Sequence, residues 1–150
     1  MRKAVTRQGV NMERSLILVK PDAIERKAGG SILARFESQG LKIVGLKMLH
    51  VNEELAKKHY EMHIGKAFFN DLLEYITSTP IIAAVLEGEG AVEKIRTIMG
   101  ATDPAKADPG TIRKDFGIDI QRNAVHGSDS PESAEREINL FFGKDQVFDY

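Results

Sequence analysis

The chain has 150 residues, 42% of them hydrophobic, which is enough for one domain with a sizeable core and too few for two. Twenty-one Lys and Arg stand against 22 Asp and Glu, for a net charge of -1, so the positive excess needed to coat nucleic acid or an anionic membrane is missing. The absence of cysteine excludes disulfides, thiolate zinc sites and cysteine nucleophiles, and no run approaches the ~18 apolar residues that span a bilayer.

Residues 1–14 carry Arg2, Lys3, Arg7 and Arg14 with no apolar stretch behind them, so they read as a flexible extension rather than a secretory signal. Met12 is an alternative start, and residues 15–150 form a single domain in this reading. Leu16–Val19 is an unbroken apolar run ended by Lys20-Pro21-Asp22. Because proline cannot donate to a ladder, a buried strand stops there and leaves Lys20 at its end. Ile32, Leu33 and Phe36 follow Gly29-Gly30 at helical spacing, and Gly40 closes the helix. Leu41–Leu49 predicts a second strand with a bulge at Gly45. Asn52 can cap a helix holding Leu55, His59 and Tyr60, and a further helix runs through Phe68, Phe69, Leu72, Leu73 and Ile76 before Pro80.

Ile81–Leu86 is the third strand, and Val92, Ile95 and Met99 mark a helix closed by Gly100. Residues 100–117 hold two prolines and three glycines with little periodicity, a loop long enough to suggest function. Ile118–Val125 reads as the fourth strand, and Ser130-Pro131 opens a last helix through Ala134, Ile138 and Phe141. This order fits an α+β fold, a ferredoxin-like βαββαβ sandwich with helices over one face of a four-stranded antiparallel sheet. A doubly wound parallel sheet is the rival; four strands are few for it, and neither Gly-x-Gly-x-x-Gly nor a P-loop occurs.

His126 lies between the last strand and the last helix, followed by Gly127, which permits close backbone approach. Taken alone it could be a histidine satisfied in a turn. Glu137, however, falls at the buried margin of the last helix between Phe141 and Leu140, where a carboxylate needs a partner. A link from Glu137 to His126, direct or through Ser128, would fix the imidazole tautomer and leave the other nitrogen as a nucleophile. His59 and His63 share a helix face at i, i+4, but no third metal ligand is evident, which favours two ordinary, partly exposed histidines over a zinc site. Arg96, Thr102 and Arg113 would each be ordinary surface residues alone; converging with Lys20 and a histidine they would make a polyphosphate site.

Val19-Lys20-Pro21-Asp22-Ala23, the Phe68-Phe69 pair, Gly100-Ala101-Thr102-Asp103-Pro104, Pro109-Gly110-Thr111-Ile112-Arg113 and Asn123-Ala124-Val125-His126-Gly127-Ser128-Asp129-Ser130 together resemble nucleoside diphosphate kinases, in order and register from about Met12 to the C-terminus. The resemblance implies exchange of a terminal phosphoryl group between nucleoside tri- and diphosphates, with His126 as nucleophile and phosphohistidine carrier. Glu137 and Ser128 would orient the imidazole. Arg96, Thr102 and Arg113 would bind phosphates, Lys20 and Asn123 the ribose hydroxyls, and Lys20 with Tyr60 the transferring group. Phe68 would stack on the base beside Leu72, and Mg2+ would bridge phosphate oxygens without a protein carboxylate cage. A cytoplasmic homo-oligomer, hexamer before tetramer, without nucleic-acid or membrane partners, completes what the resemblance implies.

Three positions depart from the family pattern. Ala67 stands where proline commonly precedes the two phenylalanines, Thr79 where glycine commonly precedes Pro80, and Asp103 where asparagine commonly follows Thr102. A carboxylate close to the phosphates would weaken nucleotide binding unless it faces away. The competing reading, a ferredoxin-like module that binds RNA or a regulatory ligand, calls for aromatics on strands, whereas Phe36, Phe68, Phe69, Phe141 and Phe142 fall on predicted helices and tryptophan is absent.

Overall fold

The computed structural model describes residues 5–7 and 10–150, with side chains from residue 12 onward. Strand β1 (Val5–Arg7) forms a hairpin with β2 (Val10–Val19); helices α1 (Pro21–Glu25) and α2 (Gly29–Ser38) lead to β3 (Lys42–Leu49). Helices α3 (Glu53–His59) and α4 (Phe69–Ile76) precede β4 (Ile81–Glu89), and α5 (Ala91–Met99) and α6 (Ile112–Phe116) precede β5 (Val125–Gly127) and α7 (Pro131–Phe141).

All strand pairings are antiparallel, and the main sheet runs β5-β2-β4-β3, with β1 sharing the β5 edge of β2. This is the order of a βαββαβ ferredoxin-like sheet. Helices cover both faces, not one as expected. In β2, Ile17 and Val19 pack into the layer with Ile32, Phe36, Ile95 and Met99, while Leu16 and Leu18 enter the layer with Ala56, Ile138 and Phe141. Alternation sends neighbours to opposite faces, so an unbroken apolar run marks a strand buried on both sides.

Two expected boundaries move. Within the described residues, the N-terminal extension is strand at Val5–Arg7 and from Val10 onward, and Met12, Glu13 and Arg14 pair with Glu89, Gly88 and Glu87; the rest of that expectation lies outside the described residues. The fourth strand is only Val125–Gly127. Residues 118–122 close into a turn instead, with the Ile118 amide donating to the Arg122 carbonyl at 2.7 Å and the Arg122 amide to Asp119 Oδ1 at 2.7 Å. Local side-chain acceptors outcompeted the weak alternation of Ile118 and Ile120, both exposed. The expected long loop also contains α6, capped by Thr111, whose hydroxyl accepts from the Lys114 amide.

Other local signals stand as read. Asn52 Oδ1 accepts from Leu55 N at 2.8 Å, Ser130 Oγ accepts from Ser133 N at 3.0 Å, and the register of β3 on β4 shifts between Ile43 and Gly45.

Candidate active site

Pro21 ends the β2 ladder and starts α1, which leaves Lys20 at the sheet edge beside the chain entering β5. There its Nζ donates to the Gln121 carbonyl at 2.7 Å and to Asn123 Oδ1 at 2.9 Å, and Asn123 Nδ2 donates to the Thr102 carbonyl at 3.0 Å. Lys20, Asn123 and Thr102 are thus joined. Lys20 is 7% exposed, and burial pushes its pKa down to about 8, with attraction from Asp22 only partly opposing the shift.

Arg113 ties the end of α5 to β5, donating to the Gly100 carbonyl at 3.1 Å and the Val125 carbonyl at 2.9 Å, while its Nε is buried without a hydrogen-bond partner among the described residues. Burial and then the repulsion of Arg96 push its pKa down to about 10. Two mutually repelling guanidiniums therefore lie together here, one of them with a buried, unsatisfied donor. Thr102 is exposed nearby in the chain. Asp103 spends Oδ1 on the Ala105 amide at 3.0 Å, capping the turn Pro104–Lys106. Asp103, one of the three departures from the family pattern, therefore has a local structural partner.

His126 pairs with Leu18 across β2 and β5, and Leu18 belongs to the layer beneath α3 and α7, so the imidazole rises toward those helices. Its Nε2 lies 2.7 Å from Glu137 Oε1, and Ser128 Oγ donates to the same oxygen at 2.8 Å. Glu137 is 4% exposed. Burial pushes its pKa up, but the hydrogen bonds and charge of its neighbours, His126 foremost, outweigh this and hold the carboxyl below the ordinary glutamate value. With Nε2 engaged, Nδ1 is the nitrogen left for chemistry. Gly127 faces the opposite layer, where a Cβ would lie 2.8 Å from Met99 Cε. The close approach foreseen there is with helix α5.

His59 overturns its expectation. It is 3% exposed, with its ring edge-on to His126 at 4.8 Å between centroids and neither nitrogen hydrogen-bonded among the described residues. Burial, followed by repulsion from His126, pushes it down to about 3 and keeps it neutral. His63 points elsewhere, to Lys66 Nζ at 3.2 Å and the Phe68 ring at 5.2 Å, so the two histidines do not converge as an i, i+4 pair. His59, His126 and Glu137 do offer three ligand atoms within 4.8 Å. Tetrahedral ligands at ~2.1 Å bonds sit ~3.4 Å apart, however, and two of these groups are already joined by a hydrogen bond.

Tyr60 is buried between His59 and His63, and burial followed by the Glu137 charge pushes its hydroxyl pKa up. Phe68 is 47% exposed at the start of α4, beside His63 and with Lys66 Nζ 5.8 Å from its ring centroid, and Leu72 lies one turn on, partly buried against the core.

The sequence model for "Nucleoside diphosphate kinase" matches residues 13–147. The chain belongs to the nucleoside diphosphate kinase family. It is 58% identical over 139 residues to the nucleoside diphosphate kinase of Pelotomaculum thermopropionicum, covering 93% of each chain, and 54% identical to that of Methanobrevibacter smithii, again with 93% of each covered. Among solved structures, the Aquifex aeolicus nucleoside diphosphate kinase superposes with a TM-score of 0.89 at 46% identity, covering 91% of this chain and 99% of that one. A halophilic nucleoside diphosphate kinase from Halobacterium salinarum in complex with CDP superposes at 0.90 and 47%, covering 92% of each.

For a nucleoside diphosphate kinase, four residues around the site carry no role in the sequence reading: His59, Arg136, Asp22 and Tyr75. His59 was visible only as half of an i, i+4 pair. Arg136 donates to the carbonyls of Lys58 at 3.1 Å and His59 at 3.4 Å and lies 3.9 Å from Glu137 Oε2, tying α7 to the end of α3. Asp22 and Tyr75, hydrogen-bonded to one another, flank the entry to β5. Asp22 stood in the Lys20-Pro21-Asp22 motif without a role; nothing local distinguished Tyr75 or Arg136.

Proposed function

We propose that the chain moves the terminal phosphoryl group of a nucleoside triphosphate to a nucleoside diphosphate by a ping-pong route through His126, and so maintains nucleotide pools. The observation that carries this reading is the 2.7 Å contact of His126 Nε2 with Glu137, which fixes one nitrogen and leaves Nδ1 as nucleophile. The Nδ1 lone pair forms an N–P bond to the γ-phosphorus as the P–O bond to the β-phosphate breaks and the diphosphate departs. A terminal oxygen of the second diphosphate then attacks phosphorus, and the N–P bond electrons return to Nδ1. The Glu137 carboxylate stabilises the positive charge that the ring gains in the first half-reaction and gives up in the second, with Ser128 fixing the carboxylate.

Arg96, Arg113 and Thr102 are proposed phosphate contacts, Lys20 and Asn123 ribose contacts, Lys20 and Tyr60 partners of the transferring group, and Phe68 with Leu72 the base platform. The unsatisfied Arg113 Nε, the buried Lys20–Asn123 pair and the exposed Phe68 face support these roles. The relative crystallised with CDP supports a nucleotide as ligand. Mg2+ fits this donor set as an ion carried by the nucleotide: Asp22, Asp103 and Glu137 already spend oxygens on hydrogen bonds, so the β- and γ-phosphate oxygens would hold it. When bound, it neutralises phosphate charge during transfer.

Assembly as a homo-oligomer, hexamer before tetramer, is proposed with the family; Leu46 and Met48, exposed on the edge strand β3, support a covered edge. Among the described residues no helix is long and apolar enough to cross a membrane, and we assign the protein to the cytoplasm on the family resemblance. An RNA-reading sheet gains no support, because both sheet faces are covered by helices.

Incubation with ATP and Mg2+ should add one phosphate by intact mass, lost in acid and kept in alkali. His126→Ala and His126→Gln should lose adduct and exchange together while melting close to wild type, since the side chain is partly exposed. Initial rates should give parallel double-reciprocal lines. Intersecting lines, or exchange that survives either substitution, would overturn the phosphohistidine route.

A further inference from the structure

Ala124, one residue beyond the proposed ribose contact Asn123 and two before His126, has φ 74, a left-handed conformation that a residue with a Cβ rarely adopts. The Val125 amide donates to the Asn123 carbonyl at 2.9 Å, so Asn123, Ala124 and Val125 form a γ-turn with Ala124 at its centre. Such a turn persists only when its surroundings over-determine it. Both polar backbone atoms of Ala124 and of Val125 are held. The Ala124 amide donates to Asp22 Oδ2 at 3.0 Å, the Ala124 carbonyl accepts from the Lys20 amide at 2.9 Å, and the Val125 carbonyl accepts from Arg113.

Asp22 is 4% exposed and has no place in the phosphotransfer chemistry. A buried carboxylate is costly unless its oxygens are satisfied, and these are. The Tyr75 hydroxyl donates to Oδ1 and accepts from the Asp22 amide at 3.2 Å, and Arg26 approaches Oδ2 at 3.9 Å. The Tyr75 ring also lies 5.4 Å from Lys20 Nζ. Burial, followed by the hydrogen bond to Asp22, pushes the Tyr75 hydroxyl pKa up and keeps it a donor. Tyr75 therefore orients Asp22, and Asp22 grips the turn.

We propose that Asp22 and Tyr75 are positioning residues for the transfer reaction, a latch that holds Ala124 in its left-handed turn and thereby sets His126 relative to Glu137 and Asn123 relative to Lys20. The proposal rests on His126 being the phosphoryl carrier. Relaxation of Ala124 to φ below zero would rotate the peptides on both sides, displacing Asn123 from Lys20 and shifting the start of β5. Misplacement by about 1 Å at such a site costs on the order of 100-fold in rate.

The test uses the full chain and three variants, Asp22→Ala, Asp22→Asn and Tyr75→Phe, each alone and combined with Ala124→Gly. Single-turnover phosphorylation by ATP and Mg2+ is followed by intact mass and normalised to folded protein. Amide exchange at Ala124 and Val125 is read in parallel. Asp22→Ala should slow phosphorylation roughly 10- to 100-fold and expose the Ala124 amide; Asp22→Asn, which keeps an acceptor oxygen, should fall between it and wild type. Ala124→Gly in the Asp22→Ala background should recover most of the lost rate, because glycine enters the left-handed region without a latch. A merely structural Asp22 would lower stability without slowing the folded fraction, and glycine would recover nothing. Either result overturns the proposal.

Should Asp22→Ala not fold, Tyr75→Phe decides: a loss of about 3- to 10-fold recovered by Ala124→Gly supports the latch, and a wild-type rate overturns it. Wild-type protein that forms no acid-labile adduct would overturn the role of His126 instead. Exchange protection at Ala124 in wild type against Asp22→Asn and Tyr75→Phe would still decide whether the latch holds the turn.

Discussion

Leu18 and His126 are Cα partners across the antiparallel ladder of β2 and β5, and this pairing fixes which side of the sheet the imidazole occupies. Because paired residues share a face, His126 emerges among Leu18, His59 and Glu137 rather than among the residues packed on α5. A register slip of one residue would send the imidazole toward Met99 and Ile95.

Glu137→Ala should slow phosphorylation of His126 by roughly 10- to 100-fold with nucleotide affinity within about threefold of wild type, because an orienting hydrogen bond is lost and no phosphate contact is touched. Stopped-flow phosphorylation and nucleotide titration separate the two quantities. An unchanged rate would reduce Glu137 to a satisfied carboxylate at the helix margin.

The same carboxylate has a pH signature. Its folded pKa lies below the ordinary glutamate value, so its contribution to stability is fully present above that value and is lost as pH falls through the folded pKa. The melting-temperature gap between wild type and Glu137→Gln should accordingly be widest near neutrality and close below pH ~4. A gap independent of pH between 7 and 3 would contradict an ionised, hydrogen-bonded Glu137.

Lys20 gives the opposite limb. Burial lowers its folded pKa to about 8, so above that pH the folded chain sheds a proton that the unfolded chain keeps until about 10. Unfolded chains then bind more protons, and this group raises stability as pH climbs through that window. Activity should move the other way, since neutral Lys20 cannot neutralise a phosphoryl group. The free-enzyme profile of kcat/KM should fall with an apparent pKa of about 8. A profile flat to pH 9.5 would remove Lys20 from the reaction.

Selectivity should be lopsided. Phe68 presents a flat apolar face to a base, and stacking tolerates any base, so ATP, GTP, CTP and UTP should turn over within about one order of magnitude of one another. Lys20 and Asn123 are buried polar groups proposed to meet ribose hydroxyls, so 3′-deoxy-ATP should be far poorer. Measured kcat/KM for the five donors with one acceptor checks both halves. Indifference to the 3′-hydroxyl would dissociate Lys20 and Asn123 from the sugar.

What the sequence determined by itself was local. Caps at Asn52 and Ser130, the bulge at Gly45, the strand end at Pro21 and the buried strand at Leu16–Val19 were legible because each depends on residues a few positions apart. The His126–Glu137 link was legible for the same reason, both residues lying along one strand and the helix that follows it. Only tertiary structure decided the rest. The Lys20–Asn123 bond joins residues 103 apart and the Asp22–Tyr75 bond residues 53 apart. The burial of His59 depends on α7 closing over α3. Even the entry to β5 was set by what surrounds it: Asp22, the Lys20 amide and Arg113 hold Ala124 and Val125 in a turn that Ala124 would not choose for itself.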